Sequence, residues 1–419
     1  MLLPAEKVVY RKRFLFFYTF HFLVIRVRYA LLSLAILLVI GLAAAVAAEW
    51  VFDTRFVVDA GYIISGAAVL EDTSRIIVGA TDQSGNCIIY VLNSDLSLDY
   101  RYSVTGCDAL LAFDYRNNYV AAVGSSGSDV VVYVIDNIAR IVGSVTIASV
   151  GGSGYSVSPL AVAISGSYIY ALVLDSYNDT NYIYIINTTP AIVSSTSLGT
   201  GSAALARAEN SDYITYVDTS GILHIADGSN GSLTDVYTIN IGETNVMNLR
   251  SLYDPTSSMF YAAIWNGDEV YLITYDPVNN SFTEVSLEQT AFSRSVSDVS
   301  KTTRGIYVTV YSGYGYLVTD SNVTIESTPE ETVGVLTIDG VDYVYSINGE
   351  YVERYRLSVE TVTVTTTTTV ALPVYRTETV TTTVTTTTAA GYRAEDVAIS
   401  GVLSFVMGAA LAYLLATRR

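Results

Sequence analysis

The stretch NYVAAVGSSGSDVVVYVID, residues 118–136, consists of two apolar runs separated by a short polar segment. The runs are rich in Val and Tyr, which favour strands, and the Gly, Ser and Asp between them favour a tight turn. This pattern predicts a β-hairpin. The same arrangement recurs in RIIVGATDQSGNCIIYVLN (75–93), SYIYALVLDSYNDTNYIYIIN (167–187) and MFYAAIWNGDEVYLITYD (259–276). The sequence therefore predicts an all-β fold.

The second strand of this hairpin recurs along the chain with a spacing of about 44 residues, which is typical of four-stranded propeller blades. Its copies are CIIYVLNSD (87–95), VVVYVIDN (130–137), NYIYIINTT (181–189), GILHIADGS (221–229), EVYLITYDP (269–277), GYLVTDSN (315–322) and EYVERYRL (350–357). Short apolar pieces such as GAAVL (66–70) precede the hairpins and suit innermost strands, and more polar pieces follow them. We expect residues 49–358 to form a seven-bladed β-propeller.

Two features of this propeller stay open at the level of sequence. Six or eight blades are compatible with the pattern, because the last two units are short and the boundary between the third and fourth is not sharp. The seventh unit also lacks one strand. We expect the segment VFDTRFVV (51–58) to supply it and so to close the ring.

The strand ends YVLN, YVID and YIIN resemble the YVTN-type β-propeller repeat of archaeal surface-layer proteins. The resemblance covers about 300 residues of apolar pattern, and the Gly-His and Trp-Asp marks of WD40 blades are absent from the repeat. The resemblance to the YVTN-type repeat implies a surface-layer-associated, archaeal cell-surface protein. The order of segments is similar to that of membrane-anchored archaeal surface proteins, but no Pro-Gly-Phe tripeptide precedes the C-terminal apolar run, in contrast to archaeosortase substrates.

The two ends of the chain predict export and anchoring. Residues 1–48 combine basic residues with the apolar run YALLSLAILLVIGLAAAVAA, which fits either a cleaved signal peptide or an uncleaved anchor helix. Residues 397–416 form a second uncharged run of 20 residues, followed by a tail, 417–419, that ends in two arginines. This predicts a transmembrane helix with a cytoplasmic tail and an extracellular segment between the two runs. The protein is thus expected in the cell membrane with most of the chain outside.

The segment 359–396 is rich in threonine, with 16 Thr among residues 359–390. Such a composition buries little apolar surface, so we expect an extended stalk between the propeller and the membrane. The alternative is that TVTVTTTTTV forms a β-strand of the preceding domain, because Thr and Val favour strands.

Charge and residue usage limit the possible functions. The stretch from Glu49 to Asp396 carries 39 acidic and 14 basic residues, a net charge of −25, which excludes nucleic acid as a partner. It contains a single histidine, His224, which is expected to be a packed or rim residue, and a single lysine, Lys301, which is expected to be a solvated loop charge. Most enzyme classes need more than one such group. Paired carboxylates, as in glycosidases, remain as an enzymatic alternative, without an evident pair.

Candidate structural and modified residues are more specific. Cys87 and Cys107, the only cysteines, are expected to form a disulfide in an exported domain, or else to be two buried thiols. Five Asn-x-Ser/Thr triplets predict N-glycosylation at Asn178, Asn187, Asn230, Asn279 and Asn322. The oxygen-rich loops DSYNDTN (175–181) and DGSNGSLTD (227–235) could bind calcium, but their residues equally suit tight turns. No other cofactor is expected.

These observations favour a membrane-tethered extracellular β-propeller that acts as a binding or structural component of the cell envelope. Its expected partners are the membrane, through the C-terminal helix, and a surface-layer protein or a carbohydrate. The alternative is an extracellular hydrolase or lyase with paired carboxylates at the channel. A cluster of Asp and Glu at one mouth of the channel would favour the enzyme, whereas Gly, Ser and aliphatic residues there would favour binding.

Overall fold

The computed structural model describes residues 50–149, 157–176, 178–288, 295–319, 322–358, 361–371 and 377–387. The chain forms two units. One is Trp50–Leu357, and the other combines the terminal segments Met1–Glu49 and Ser358–Arg419. The predicted signal or anchor segment (1–48), the C-terminal helix (397–416) and the tail (417–419) lie outside the described residues. Among the described residues, no helix has the length and apolar character needed to cross a membrane.

The first unit consists of β-strands that pair antiparallel with their sequence neighbours. Its strands are β1 (Trp50–Val57), β2 (Tyr62–Leu70), β3 (Arg75–Asp82), β4 (Asn86–Asn93), β5 (Leu98–Thr105), β6 (Ala109–Arg116), β7 (Tyr119–Ser126), β8 (Asp129–Asp136), β9 (Ile141–Ser149), β10 (Val157–Ser165), β11 (Tyr168–Asp175), β12 (Thr180–Asn187), β13 (Ile192–Thr200), β14 (Ala204–Glu209), β15 (Tyr213–Val217), β16 (Ile222–Asp227), β17 (Thr234–Asn240), β18 (Asn248–Asp254), β19 (Met259–Trp265), β20 (Val270–Asp276), β21 (Ser281–Glu288), β22 (Val296–Lys301), β23 (Ile306–Val310), β24 (Tyr314–Thr319), β25 (Asn322–Ser327), β26 (Thr332–Ile338), β27 (Val341–Asn348) and β28 (Tyr351–Leu357).

These strands form a β-propeller, as the sequence predicted. Five sheets have four strands each: β2–β5, β6–β9, β10–β13, β22–β25, and β26–β28 together with β1. One eight-stranded sheet contains β14–β17 and β18–β21, joined by parallel pairing between β14 and β18. The first strand of each group is innermost, and innermost strands of neighbouring groups pack against one another around a central channel.

The position of a strand in its sheet follows from its composition. The two middle strands of a sheet, such as β7 and β8, are buried over five or six successive residues, because neighbouring sheets cover both of their faces. Outer strands such as β13, IVSSTSLGT, are exposed along most of their length and carry Ser and Thr. The core therefore lies between the sheets, in apolar clusters that join each sheet to the next.

The ring is closed by the N-terminal strand, as predicted. β1 pairs antiparallel with β28 from Trp50↔Leu357 to Val57↔Tyr351, with one irregularity between Phe52 and Thr54. This pairing gives the last sheet its fourth strand. Closure in this way ties the two ends of the propeller together and covers the edge of β28.

The Thr-rich segment contains two further strands, β29 (Thr361–Ala371) and β30 (Thr377–Thr387), which pair antiparallel in register Thr361↔Thr387. The sequence predicted an extended stalk here, or a strand of the preceding domain. In the structure β29 pairs with β30. Thr and Val both favour extended backbone, and two adjacent tracts of this composition satisfy each other's backbone hydrogen bonds.

Candidate functional site

A short 3₁₀ turn, Glu71–Thr73, follows the innermost strand β2 and extends across one end of the channel. The Glu71 backbone N–H donates to Glu209 Oε2 on β14 at 2.6 Å. The Lys301 backbone N–H on β22 donates to Glu71 Oε2 at 2.8 Å. The turn therefore joins three innermost strands at their carboxyl ends. We call the face of the propeller that contains these strand ends and the turns after them the closed face, and the opposite face the open face.

Arg207 is the centre of a buried ionic network beneath this turn. It is 5% exposed, and its Nε lies 2.9 Å from Asp114 Oδ2 while its Nη1 lies 2.7 Å from Asp72 Oδ2. Arg116 Nη1 reaches the same Asp72 oxygen at 2.7 Å. Burial opposes the charged form of Arg207, but the two aspartates outweigh it and raise the pKa of the guanidinium. These groups neutralise one another and hold the innermost strands together, so they are not free to react.

Burial shifts three carboxyl groups of the channel toward their protonated form. Burial raises the pKa of Glu71 to about 7, against the hydrogen bond from the Lys301 backbone. Burial also raises the pKa of Asp298 to about 6, and it raises that of Glu209 well above its usual range. The closed face therefore contains carboxyl groups that can give up or take a proton near neutral pH.

Asp254 behaves in the opposite way. Burial raises its pKa, but hydrogen bonds from the Lys301 Nζ, at 2.6 Å, and from Ser257 outweigh this effect and lower the pKa to about 2. Lys301 is the last residue of β22 and belongs to this network. The expected loop position was wrong, because the residue ends an innermost strand and pairs with Asp254; its side chain is 40% exposed.

A cavity of about 270 Å³ lies along the channel beside this network. Its walls include Ser65, Gly66 and Leu111 from the amino-terminal parts of β2 and β6, and it reaches Glu209 and Asp298. Leu111 lies at a β-bulge and is 49% exposed, so the wall at the open face is accessible to solvent. The channel wall is thus mixed: small and aliphatic residues form most of it, Arg250 and Asp298 lie among them, and Glu209 lies at the closed end.

Arg250 gives this cavity a positive charge. Its Nε donates to the Ser297 carbonyl oxygen at 2.9 Å and its Nη1 to the Leu249 carbonyl oxygen at 3.1 Å. Within the part of the chain that the structure describes, Arg250 forms no salt bridge, although its charge opposes the rise in the Asp298 pKa. A guanidinium that lines a polar cavity without a direct ion pair suits an acidic or hydroxyl-bearing group of a ligand.

His224 lies away from the channel, on β16. Its Nδ1 is 3.0 Å from Asp235 Oδ2 and its Nε2 is 3.2 Å from Asp218 Oδ2, while the ring stacks on Tyr216 at 4.3 Å. Both ring nitrogens are thus engaged with carboxylates. This agrees with the prediction of a packed or rim histidine.

Cys87 and Cys107 lie at disulfide distance, with their Cα atoms 5.7 Å apart. Cys87 is on β4 and Cys107 lies between β5 and β6, so the pair connects the first four-stranded sheet to the start of the next. Both are buried. The pairing expected from the sequence is supported, and the alternative of two separate thiols is not.

The two candidate calcium loops use their polar side chains within the turns. Asn178 Nδ2 donates to Asp175 Oδ2 at 2.9 Å, and Asp227 Oδ1 accepts the Ser229 N–H at 2.9 Å. The described residues contain no group of three or more His, Cys, Asp or Glu side chains arranged to hold a metal ion. The turn interpretation of these loops accounts for the contacts.

The channel network was not predicted from the sequence. Arg207 and Asp114 are 93 residues apart, and no local motif connects them. One signal was present: arginine interrupts two otherwise apolar innermost strands, AALARA (203–208) and VMNLRSL (246–252). A charge in such a strand needs a buried partner or a polar cavity. Arg207 has buried partners, and Arg250 lines a polar cavity.

Comparisons with known proteins agree with the fold. No protein-family model matches the chain, and no curated protein matches it either. Among solved structures, the β-propeller domain of Myceliophteria thermophila Cps50 (Swd1) matches with a TM-score of 0.50 and 10% identity, over 74% of this chain and 100% of that one. The Pan2 WD40 domain of Neurospora crassa matches with a TM-score of 0.49 and 12% identity, over 74% of this chain and 96% of that one. A chain of a mitotic checkpoint complex matches with a TM-score of 0.48 and 10% identity, over 74% of this chain and 93% of that one. At these identities the likeness concerns the fold alone.

Proposed function

We propose that this protein is an exported, membrane-tethered β-propeller that serves as a binding or structural component of a cell envelope. The observation that carries the proposal is the asymmetry of the channel: a buried ionic network closes one end, and a cavity of about 270 Å³ extends along the channel from this network to the solvent-accessible Leu111. Sites of this kind on propellers suit binding, because a rigid ring presents loops and a central depression to a partner. The expected partner is a surface-layer protein or a carbohydrate.

The number of blades belongs to this proposal. The eight-stranded sheet is held at its centre only by the parallel pairs Ala208↔Ser251 and Glu209↔Leu252, whereas antiparallel pairing runs along the strands on either side. We interpret the parallel pairs as the close approach of two adjacent innermost strands. The propeller then has seven blades, with β2, β6, β10, β14, β18, β22 and β26 innermost.

Export to an oxidising compartment is supported by two features. The Cys87 and Cys107 sulfurs lie at disulfide distance, and disulfides persist mainly outside the cytosol. The sequence also places apolar runs at both ends of the chain, of a length that suits export and anchoring.

A single introduced cysteine tests the proposed location. Val278 is 81% exposed in the turn after β20, so a Val278→Cys variant offers an accessible thiol. We expect a membrane-impermeant maleimide to label it in intact cells, and alkaline carbonate to leave the protein in the membrane pellet. Val299→Cys, at a buried position, is the matched control that stays unlabelled. Labelling of Val278→Cys only after lysis would contradict the proposed location.

A second function is favoured by the carboxyl groups at the closed face. Glu71 and Glu209 are both half-buried and both have raised pKa values, which is the state required of a general acid in glycoside hydrolysis. If the protein is a hydrolase, Glu71→Gln and Glu209→Gln should each abolish release of reducing sugar from envelope polysaccharide. Glu284→Gln, at an exposed position on β21, is the control. Equal or absent hydrolysis in all variants would reject this alternative.

A further inference from the structure

The five predicted glycosylation sites are not spread evenly over the propeller. Asn187, Asn230, Asn279 and Asn322 each lie at the turn between the third and fourth strands of a four-strand group, after β12, β16, β20 and β24. In an antiparallel sheet this turn lies at the same edge as the turn after the first strand. These four asparagines therefore belong to the closed face. Asn178, in the turn between β11 and β12, belongs to the open face.

Contacts between neighbouring sheets support this assignment. Gly166, in the turn after the innermost strand β10, approaches Ser229 so closely that a Cβ would lie 2.7 Å from the Ser229 carbonyl oxygen. The Tyr170 hydroxyl on β11 donates to the Gly228 carbonyl oxygen at 2.5 Å. The turn that contains Asn230 therefore lies directly beside a turn of the closed face.

The side-chain amides of these asparagines fall into two groups. In Asn187 and Asn230 the carbonyl Oδ1 accepts the hydroxyl of the Ser or Thr two residues later, from Thr189 at 3.0 Å and from Ser232 at 2.7 Å. Their Nδ2 groups have no partner among the described residues, and the same holds for the exposed Asn322. These three amide nitrogens are available for modification.

The other two amides are already engaged. Asn178 Nδ2 donates to Asp175 Oδ2 at 2.9 Å, and Asn279 Nδ2 donates to Asp276 Oδ2 at 2.6 Å. A hydrogen bond to a carboxylate is stronger than one between neutral groups. Each amide would have to break this bond before its nitrogen could react.

We propose that N-glycans are attached at Asn187, Asn230 and Asn322, and that they cover an arc of the closed face while the open face stays bare. The inference rests on the proposed function, since it requires export. The donor is an oligosaccharide on a lipid phosphate or pyrophosphate. The Asn Nδ2 forms a bond to the anomeric carbon, the bond from that carbon to the phosphate oxygen breaks with its electron pair on the phosphate, and the amide loses one proton. A partner then has free access to the open face, where the channel cavity lies.

Glycopeptide mass spectrometry on the full chain, purified from its own envelope, tests the proposal. We expect glycan on at least two of Asn187, Asn230 and Asn322, and none on Asn178 or Asn279. An Asn230→Gln variant should migrate faster in a denaturing gel by the mass of one glycan. Its matched control, Asn178→Gln, should migrate like the unchanged protein.

The outcomes separate this inference from the proposed function. Glycan on Asn178 or Asn279, or bare peptides at all five asparagines, overturns the inference alone if Val278→Cys is labelled in intact cells. Bare peptides together with a Val278→Cys that is labelled only after lysis overturn both. Glycans confined to Asn187, Asn230 and Asn322 support both.

Discussion

Arg207 is the residue whose loss we expect to destabilise the propeller most. Its buried guanidinium is shared between Asp114 and Asp72, so an Arg207→Gln variant leaves Asp114 without its counter-charge and Asp72 with Arg116 alone. Removal of one partner of a buried ion pair costs about 3–5 kcal/mol. We expect the free energy of unfolding, from denaturant titration, to fall by that amount. Arg356→Gln, at an exposed position on β28, should change it by less than about 0.5 kcal/mol. Equal effects would contradict the assigned role of Arg207.

Glu71 should make the stability of the protein depend on pH. Its pKa is about 7 in the fold, against 4.5 ordinarily, so the folded state binds the proton more tightly than the unfolded state does. The resulting stabilisation is complete below about pH 4.5 and is lost as the pH rises through 7. The melting temperature of Glu71→Gln, relative to that of the unchanged protein, should therefore rise between pH 5 and pH 8. Glu284→Gln should show no such shift, and a parallel response of both variants would argue against a raised pKa.

The residues of the channel network could not have been assigned from the sequence. Glu71 and Lys301 are 230 positions apart. Glu71 follows β2 and Lys301 ends β22, and both local sequences also suit a surface turn. Their roles depend on the ring bringing distant strand ends together. By contrast, Cys87 and Cys107 were assignable because they are the only two cysteines, and His224 because a single imidazole without partners of its kind favours a packed position.

At the level of elements, the closing strand β1 offers a matched pair of substitutions. Phe56 packs on Tyr90 with ring centroids 5.3 Å apart, whereas Phe52 on the same strand is 52% exposed. We expect Phe56→Ala to lower the free energy of unfolding by about 2–3 kcal/mol, and Phe52→Ala by less than about 1 kcal/mol. Thermal or chemical unfolding measures the difference. Similar values for the two variants would mean that β1 does not seal the last sheet through Phe56.

The connection between β4 and the start of β6 is covalent. Replacing Cys87 and Cys107 together by alanine frees a loop of about 20 residues and should lower the free energy of unfolding by about 3 kcal/mol. A reducing agent should destabilise the unchanged protein by a similar amount and leave the double variant unaffected. Peptide maps with and without reduction report the bond directly. A reducing agent that acts equally on both proteins would rule out the bond as the cause.

The elements were predictable where local chemistry decides them. Alternation of apolar strands with Gly, Asn and Asp turns predicted the hairpins, and the shortage of one strand in the last unit predicted the closing role of β1. The Thr-rich segment was less predictable, because threonine suits both an extended stalk and a paired strand. Its pairing of β29 with β30 depends on the presence of two such tracts in succession.

At the level of the whole molecule, the repeat predicted a ring but not the difference between its two faces. Hairpin patterns are alike in every unit, and they do not indicate which turns meet at the channel. The closed face arises from a few residues outside the repeat pattern, chiefly Glu71, Asp72 and Arg207. The rest of the channel wall consists mainly of the small and aliphatic residues that the pattern places on innermost strands, with Arg250 and Asp298 among them.

Photo-cross-linking from the two faces in native envelopes tests whether the open face binds a partner. A benzophenone amino acid at Leu111, 49% exposed in the open mouth of the channel, reports partners of the open face. The same amino acid at Ile138, 74% exposed in the turn between β8 and β9, reports partners of the closed face. We expect a reproducible adduct with an envelope protein or polysaccharide from position 111 and none from position 138. Adducts from position 138 alone, or from neither position, would contradict a binding role for the open face.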